Sequence, residues 1–149
     1  MKTAFKSSFV ILLLFFSAKT FSQVGIAHYY PDVISFSYSP FSFNQSAIGG
    51  ELKTFTNKKM RDIQLELDAF YHFKPREYHR FSVGIGFKTD PFTDGGDGNV
   101  VTFPVVFEIY PIQKFKKLSV NFELAPELYL EEQPYTLRSL LGLRYYFGE

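Results

Sequence analysis

The chain has 149 residues, no cysteine, and 16 Lys and Arg against 15 Asp and Glu. The absence of cysteine excludes disulfides, thiolate metal sites and cysteine nucleophiles, and the near-neutral charge gives no electrostatic basis for binding nucleic acid. Aromatic residues make up 19% of the chain without one Trp, an unusually Phe- and Tyr-rich composition.

The N-terminus reads as an export signal. Lys2 and Lys6 form a basic start, Phe9 to Phe16 are uniformly apolar, and Thr20 and Ser22 are small enough for cleavage before Gln23. An apolar run this short cannot cross a bilayer as a helix, which takes roughly 20 residues. The expected domains are a signal peptide at 1–22 and a single domain at 23–149. Losing Lys2, Lys6 and Lys19 turns the slight basic excess into a slight acidic one.

Strands are expected at 24–30, 33–43, 46–56, 61–73, 79–88, 99–110, 117–130 and 136–147. The second alternates Ile34, Phe36 and Tyr38 with Ser35, Ser37 and Ser39, and Pro40 then shifts the phase onto Phe41 and Phe43. In the fourth, Ile63, Leu65, Leu67, Ala69, Tyr71 and Phe73 alternate with Asp62, Gln64, Glu66, Asp68 and His72. Because successive strand side chains point to opposite faces, each such segment has one apolar and one polar face. Turn-forming stretches join them, from Pro31-Asp32 through Lys74-Pro75-Arg76 and the Gly/Asp-rich 90–98 segment to Glu131–Tyr135. Short turns make an antiparallel meander, and closing it removes the exposed edges. Strands of ten or more residues exceed the soluble mean of about five or six and match the roughly 9–11 of a membrane strand.

Alternation alone does not say whether the apolar face lines a cavity or meets lipid. The polar face carries the small residues Ser82, Gly84, Gly86, Ser119, Ala125 and Gly142, as a narrow eight-stranded interior requires. Folding each hairpin about its turn sets Arg80 opposite Glu108, Glu123 beside Arg144, Glu127 beside Arg138 and Lys53 beside Glu66, with Gly84 and Gly86 opposite Asp68 and Glu66. Charges in a confined lumen must be paired, and this register pairs them. Ile63, Leu65, Leu67, Val83, Ile85, Phe103, Phe107, Phe122, Leu124 and Leu143 then face outward.

At the C-terminus Leu141, Leu143, Tyr145 and Phe147 alternate outward, with Gly142 ahead of the aromatic pair. This resembles the terminal assembly signal of small outer-membrane β-barrel proteins of Gram-negative bacteria, in which a glycine precedes two aromatics near the chain end. The matching positions are Gly142, Tyr145 and Phe147; Leu140 stands where the family has a polar residue, and Gly148 and Glu149 follow the aromatic. The resemblance implies an all-β, closed up-and-down membrane barrel of about eight strands in the bacterial outer membrane, a monomer. It would contact outer-membrane lipid and, during biogenesis, the barrel assembly machinery. The 74–78 turn is then periplasmic and the 89–98 loop extracellular. Aromatic girdles would follow, with Tyr71, Phe73, Phe81, Tyr145 and Phe147 on the periplasmic side and Phe87 and Phe103 on the outer side.

No chemistry-bearing motif emerges. His72 and His79 flank a turn crowded by Arg76 and Arg80, which disfavours a cation and makes them solvated turn histidines. His28 is the one histidine that reaches the outer rim, with Ser35 or Ser139 as partners of no commending spacing. Asp90, Asp94, Asp97 and Asn99 offer oxygen ligands without the regular Ca²⁺-loop spacing. The reading is a non-enzymatic barrel with a plugged polar lumen, no cofactor and no metal, serving envelope structure or surface contact. A soluble calyx for a lipid-like ligand and an outer-membrane lipid-modifying enzyme are the alternatives.

Overall fold

The computed structural model describes residues 22–40, 46–56, 63–91, 99–130 and 135–147. Their regular structure is all strand: β1 (Ser22–Tyr30), β2 (Val33–Pro40), β3 (Ala47–Phe55), β4 (Gln64–His72), β5 (His79–Thr89), β6 (Val100–Thr102), β7 (Val105–Ile109), β8 (Leu118–Tyr129) and β9 (Tyr135–Phe147). All pairings are antiparallel, between strands that follow one another along the chain except at β6 and β7, and β1 pairs with β9 from Val24↔Phe147 to Tyr30↔Leu141, which closes the sheet. β6 and β7 both lie between β5 and β8 and act as one stave, so the barrel has eight.

The stave expected at 99–110 is interrupted at Phe103-Pro104, and proline explains the break. Pro104 has no N–H to return to Gly84, although Gly84 N–H still reaches its carbonyl at 2.8 Å. Pro126 on β8 likewise accepts from Phe103 N–H at 3.0 Å and donates nothing. Two ladder donors are lost around one stave without a change of register, since Gly86↔Thr102 and Arg80↔Glu108 continue one another. The phase shift expected onto Phe41 and Phe43, and the export segment up to residue 21, lie outside the described residues.

Alternation sorts the residues as the barrel requires. Leu67, Ile85, Phe103, Phe107, Phe122, Leu124 and Leu143 are exposed on the outer face, with Ile63, Leu65 and Val83 half-buried there. Ser82, Gly86, Ser119, Ala125 and Gly142 are buried within. One register differs from the sequence reading. Gly86 lies opposite Asp68 and Gly84 opposite Phe70, while Glu66 faces Lys88, two residues from the expected pairing. The β4–β5 register is centred on residue 77, one position later than the centre of the expected 74–78 turn. Gly86 is still the residue that makes room for Asp68, because a Cβ there would fall on the carboxylate.

The end that carries Ser22 and Phe147 also holds the 73–78 and 110–117 turns, and it is ringed with aromatics. Tyr71 meets Phe73 at 5.1 Å between ring centroids, Phe73 meets Phe81 at 5.6 Å, and Tyr145 meets Phe147 at 4.9 Å. Phe87 lies near the opposite end of β5, exposed on the outer face.

Gly142 sits at the seam. A Cβ there would stand 2.5 Å from the Tyr29 ring and 2.6 Å from the His28 carbonyl oxygen. The first contact is with a buried side chain and the second with backbone, so neither yields cheaply. Gly142→Ala is therefore expected to weaken β1–β9 closure by about 1–3 kcal/mol. Denaturant titration of detergent-folded protein measures this, and an unchanged midpoint would remove the steric reason for glycine at the seam.

Candidate functional site

The candidate site is the barrel interior, where β3, β4, β5, β8 and β9 turn their polar faces toward one another. Its side chains form two tiers. At the end bearing the termini, Arg80 donates to Glu108 through Nε at 2.9 Å, to the Tyr146 hydroxyl at 2.6 Å and to Ser39 Oγ at 3.3 Å. Glu108 also accepts from Ser119 at 2.5 Å, Tyr146 at 2.6 Å and Tyr110 at 3.2 Å. This carboxylate is surrounded by donors on every side.

Tyr146 connects that tier to the next. Its ring lies 5.7 Å from the Arg80 guanidinium carbon and 5.9 Å from that of Arg144. Arg144 donates to Glu51 and to the Tyr29 hydroxyl, both at 2.6 Å. Toward the other end, Lys53 Nζ lies 2.7 Å from Asp68, 3.2 Å from Glu66 and 2.8 Å from Glu123. Arg138 takes Glu66 in a two-pronged grip at 2.5 and 2.7 Å and also reaches Glu123 at 2.9 Å and Glu127 at 2.7 Å. Lys88 holds Glu127 at 2.8 Å.

The pairs expected from the sequence meet the structure unevenly. Arg80 faces Glu108, Lys53 faces Glu66, and Glu127 reaches Arg138 diagonally, since its directly opposite residue is Thr136. Glu123 and Arg144 are not partners. Glu123 lies opposite Leu140 and binds Lys53 and Arg138, whereas Arg144 lies opposite Ser119 and binds Glu51. The β8–β9 register is displaced by four residues from the expected Glu123–Arg144 pairing and by two from Glu127–Arg138, even-numbered shifts that keep all four side chains inside the barrel.

Sequence reasoning missed the tyrosines. Tyr29, Tyr110 and Tyr146 are buried among the charges, although alternation from Ala27, Glu108 and Arg144 already directed them inward. It also misassigned a histidine. His72 is not a solvated turn residue: it is buried, its Nδ1 lies 2.7 Å from Ser82 Oγ, and its ring stacks on Phe70. His79 is half-buried against Phe107 on the outer face.

Among the described residues the expected chemical partners of His28 are placed apart from it. His28 is exposed on the outer face while Ser35 is buried on the inner one. Ser139, though exposed on the outer face, lies four residues along β9 from Leu143, the partner of His28, or about 13 Å away, so neither serine reaches the histidine. His72 and Ser82 are within hydrogen-bond reach but shut inside the barrel. Among the described residues no group of three or more His, Asp or Glu is arranged to hold a metal ion. Asn99 is engaged with Thr89 at 3.0 Å, and Asp94 and Asp97 lie outside the described residues.

No family model and no curated protein matches the chain. Among solved structures it is similar to the N-terminal β-barrel domain of Pseudomonas aeruginosa OprF, with a TM-score of 0.52 and 16% identity over 86% of this chain and 98% of that one. At that identity the likeness is one of fold.

Double-mutant cycles distinguish the partners. Arg80→Ala and Glu108→Ala should each cost about 3–5 kcal/mol, because either leaves a buried charge without its counterion. The pair should be non-additive by more than about 1 kcal/mol. Glu123→Ala and Arg144→Ala, each destabilising through other partners, should combine with a smaller coupling than Arg80 with Glu108. A larger coupling for Glu123–Arg144 would restore the register expected from the sequence.

Proposed function

We propose that this chain is a small integral outer-membrane β-barrel with a lumen plugged by its own side chains, non-enzymatic, serving envelope structure or surface contact through its loops. The observation that carries the reading is the inversion of the two faces. Glu51, Lys53, Glu66, Glu108, Glu123 and Arg144 are buried at 3% exposure or less, while Ile48, Leu67, Leu141 and Leu143 are between 57% and 73% exposed. A protein surrounded by water gains nothing from that arrangement; one surrounded by lipid requires it. The likeness in fold to the OprF barrel domain supports the same reading. No helix among the described residues is long and apolar enough to span a membrane, so the crossing would be made by strands.

The calyx alternative needs an apolar lining for its ligand, and the inner face offers ion pairs instead. The enzyme alternative needs a nucleophile within reach of a base at the rim, which His28 finds in neither Ser35, on the inner face, nor Ser139, four residues along β9 from its own partner Leu143. A monomer fits a closed sheet, since the β1–β9 pairing leaves no edge strand for another chain to extend. Lipid would be the standing partner of the outer face. For the assembly machinery, Tyr145 and Phe147 are exposed on the final strand, where a transient partner would meet them.

Fractionation tests the reading. The protein should sediment with outer membranes, resist salt and carbonate extraction, need detergent for solubility, and give no steady conductance in planar bilayers. Recovery as a detergent-free soluble protein would sink the membrane reading, and a stable open channel would sink the plugged lumen. Membrane lipid profiles should be the same for the wild type and His28→Ala.

A further inference from the structure

We propose that the outer face of β3–β5 is a binding site for an anionic phospholipid of the leaflet that meets the 73–78 turn. The acyl chain would lie over Ala69 and the phosphate against Lys74 and Arg76. The proposal rests on the membrane reading above and adds a specific lipid position to it.

The apolar part begins with two small residues. Gly50 and Ala69 are direct partners on β3 and β4, both on the outer face, and Ala69 is in turn opposite Ile85. Larger side chains surround them, so the two leave a notch in an otherwise bulky apolar surface. Ala69 and Ile85 line a depression of 380 Å³ with Ile48, Tyr71 and Val83, and a second of 920 Å³ with Leu67 and Phe87. The shared residues make these one groove along β4. On β4 the groove runs from Tyr71 to Leu67, and with Phe73 at the turn the path is about 20 Å at ~3.3 Å per residue, which on a tilted strand is close to half of a roughly 30 Å hydrocarbon core. That is the length of one leaflet.

The polar part lies at the end of the same groove. Phe73 and Phe81 belong to a pocket of 490 Å³ at the turn, completed by Ser46, Lys74, Arg76 and His79. Tyr71 contacts Phe73 at 5.1 Å, so the groove leads to this pocket along an aromatic wall. Lys74 and Arg76 are exposed, and neither is paired with a carboxylate among the described residues. The acidic neighbour Glu77 accepts a hydrogen bond from Gln113 at 3.2 Å, toward the adjacent turn. Two cations at headgroup depth, beside interfacial aromatics and above an acyl-sized groove, are complementary to a phosphodiester lipid.

The test compares phosphatidylglycerol and phosphatidylcholine of identical acyl chains, mixed equally with the detergent-solubilised protein, by native mass spectrometry. Phosphatidylglycerol adducts should dominate, by about fivefold for each cation engaged. Lys74→Gln with Arg76→Gln should abolish the preference. Ala69→Leu should reduce both adducts and leave their ratio unchanged. Gly50→Leu fills the same notch, and a Cβ there meets nothing nearer than 3.6 Å, so it keeps the test readable if Ala69→Leu fails to fold. Equal binding of the two lipids by the wild type, or a preference that survives the double variant, overturns the headgroup site. Undiminished adducts in both filled variants overturn the groove. A dimer lost on filling the notch would make a second copy the occupant and overturn the proposal. Failure of the membrane reading shows itself separately, as protein soluble without detergent.

Discussion

Closure of eight strands leaves an interior no wider than the side chains that fill it, and every charge placed there must be neutralised by another. The remaining features follow from that constraint. Among the described residues six carboxylates, Glu51, Glu66, Asp68, Glu108, Glu123 and Glu127, share the space with five cations, Lys53, Arg80, Lys88, Arg138 and Arg144. Isolated pairs would leave many lone pairs and N–H groups unmet, so most of these groups serve several partners. Lys53 touches three carboxylates and Glu108 accepts from four donors. Glycine, serine and alanine at 82, 86, 119, 125 and 142 are the volume set aside for those contacts.

The constraint also explains which parts of the fold could be read from sequence. Period-two alternation determines the face of every residue, and a slip of one position would turn a whole strand inside out. A slip of two or four positions changes no face. Alternation is blind to it, and only turn geometry sets it. Arg80 and Glu108 fall opposite one another from sequence as in the structure, because they are near-symmetric about the centre of the loop between them. Glu123 and Arg144 do not, because Glu131–Tyr135 gives no hint that Leu128 already pairs with Tyr135. The β4–β5 error has the same origin at Lys74-Pro75-Arg76.

Chemical identity misled where geometry did not. A histidine beside a turn reads as solvated, yet His72 ends a strand on its inward phase, and burial follows from phase. Tyrosine reads as a girdle residue in an aromatic-rich chain, yet Tyr29, Tyr110 and Tyr146 occupy inward positions. Their hydroxyls serve as donors to Glu51 and Glu108, and their rings fill width that no charged chain fills. The same residue type thus stands exposed on the outer face at Tyr71 and Tyr145 and buried in the lumen at Tyr146, and only the parity of its position distinguishes the two.

The sequence separation of the contacts bears on how the barrel forms. Arg144–Glu51, Arg138–Glu66 and Lys53–Glu123 join residues 93, 72 and 70 positions apart. No hairpin contains both members of any of these pairs, so the β3–β4 and β8–β9 hairpins each carry charges whose partners arrive with the opposite wall. A half-formed barrel would keep Lys53 with Glu66 and Asp68, and Arg138 with Glu123 and Glu127, within single hairpins, but would part Arg144 from Glu51 and leave the acidic β3–β4 hairpin without Arg138. Their neutralisation is completed by closure of the β1–β9 seam, at which Gly142 admits the Tyr29 ring and Tyr29 in turn meets Arg144 and Glu51. Part of the stabilising electrostatics is therefore deferred to the last step. Such coupling disfavours open or partly paired sheets and makes the closed barrel an all-or-none state.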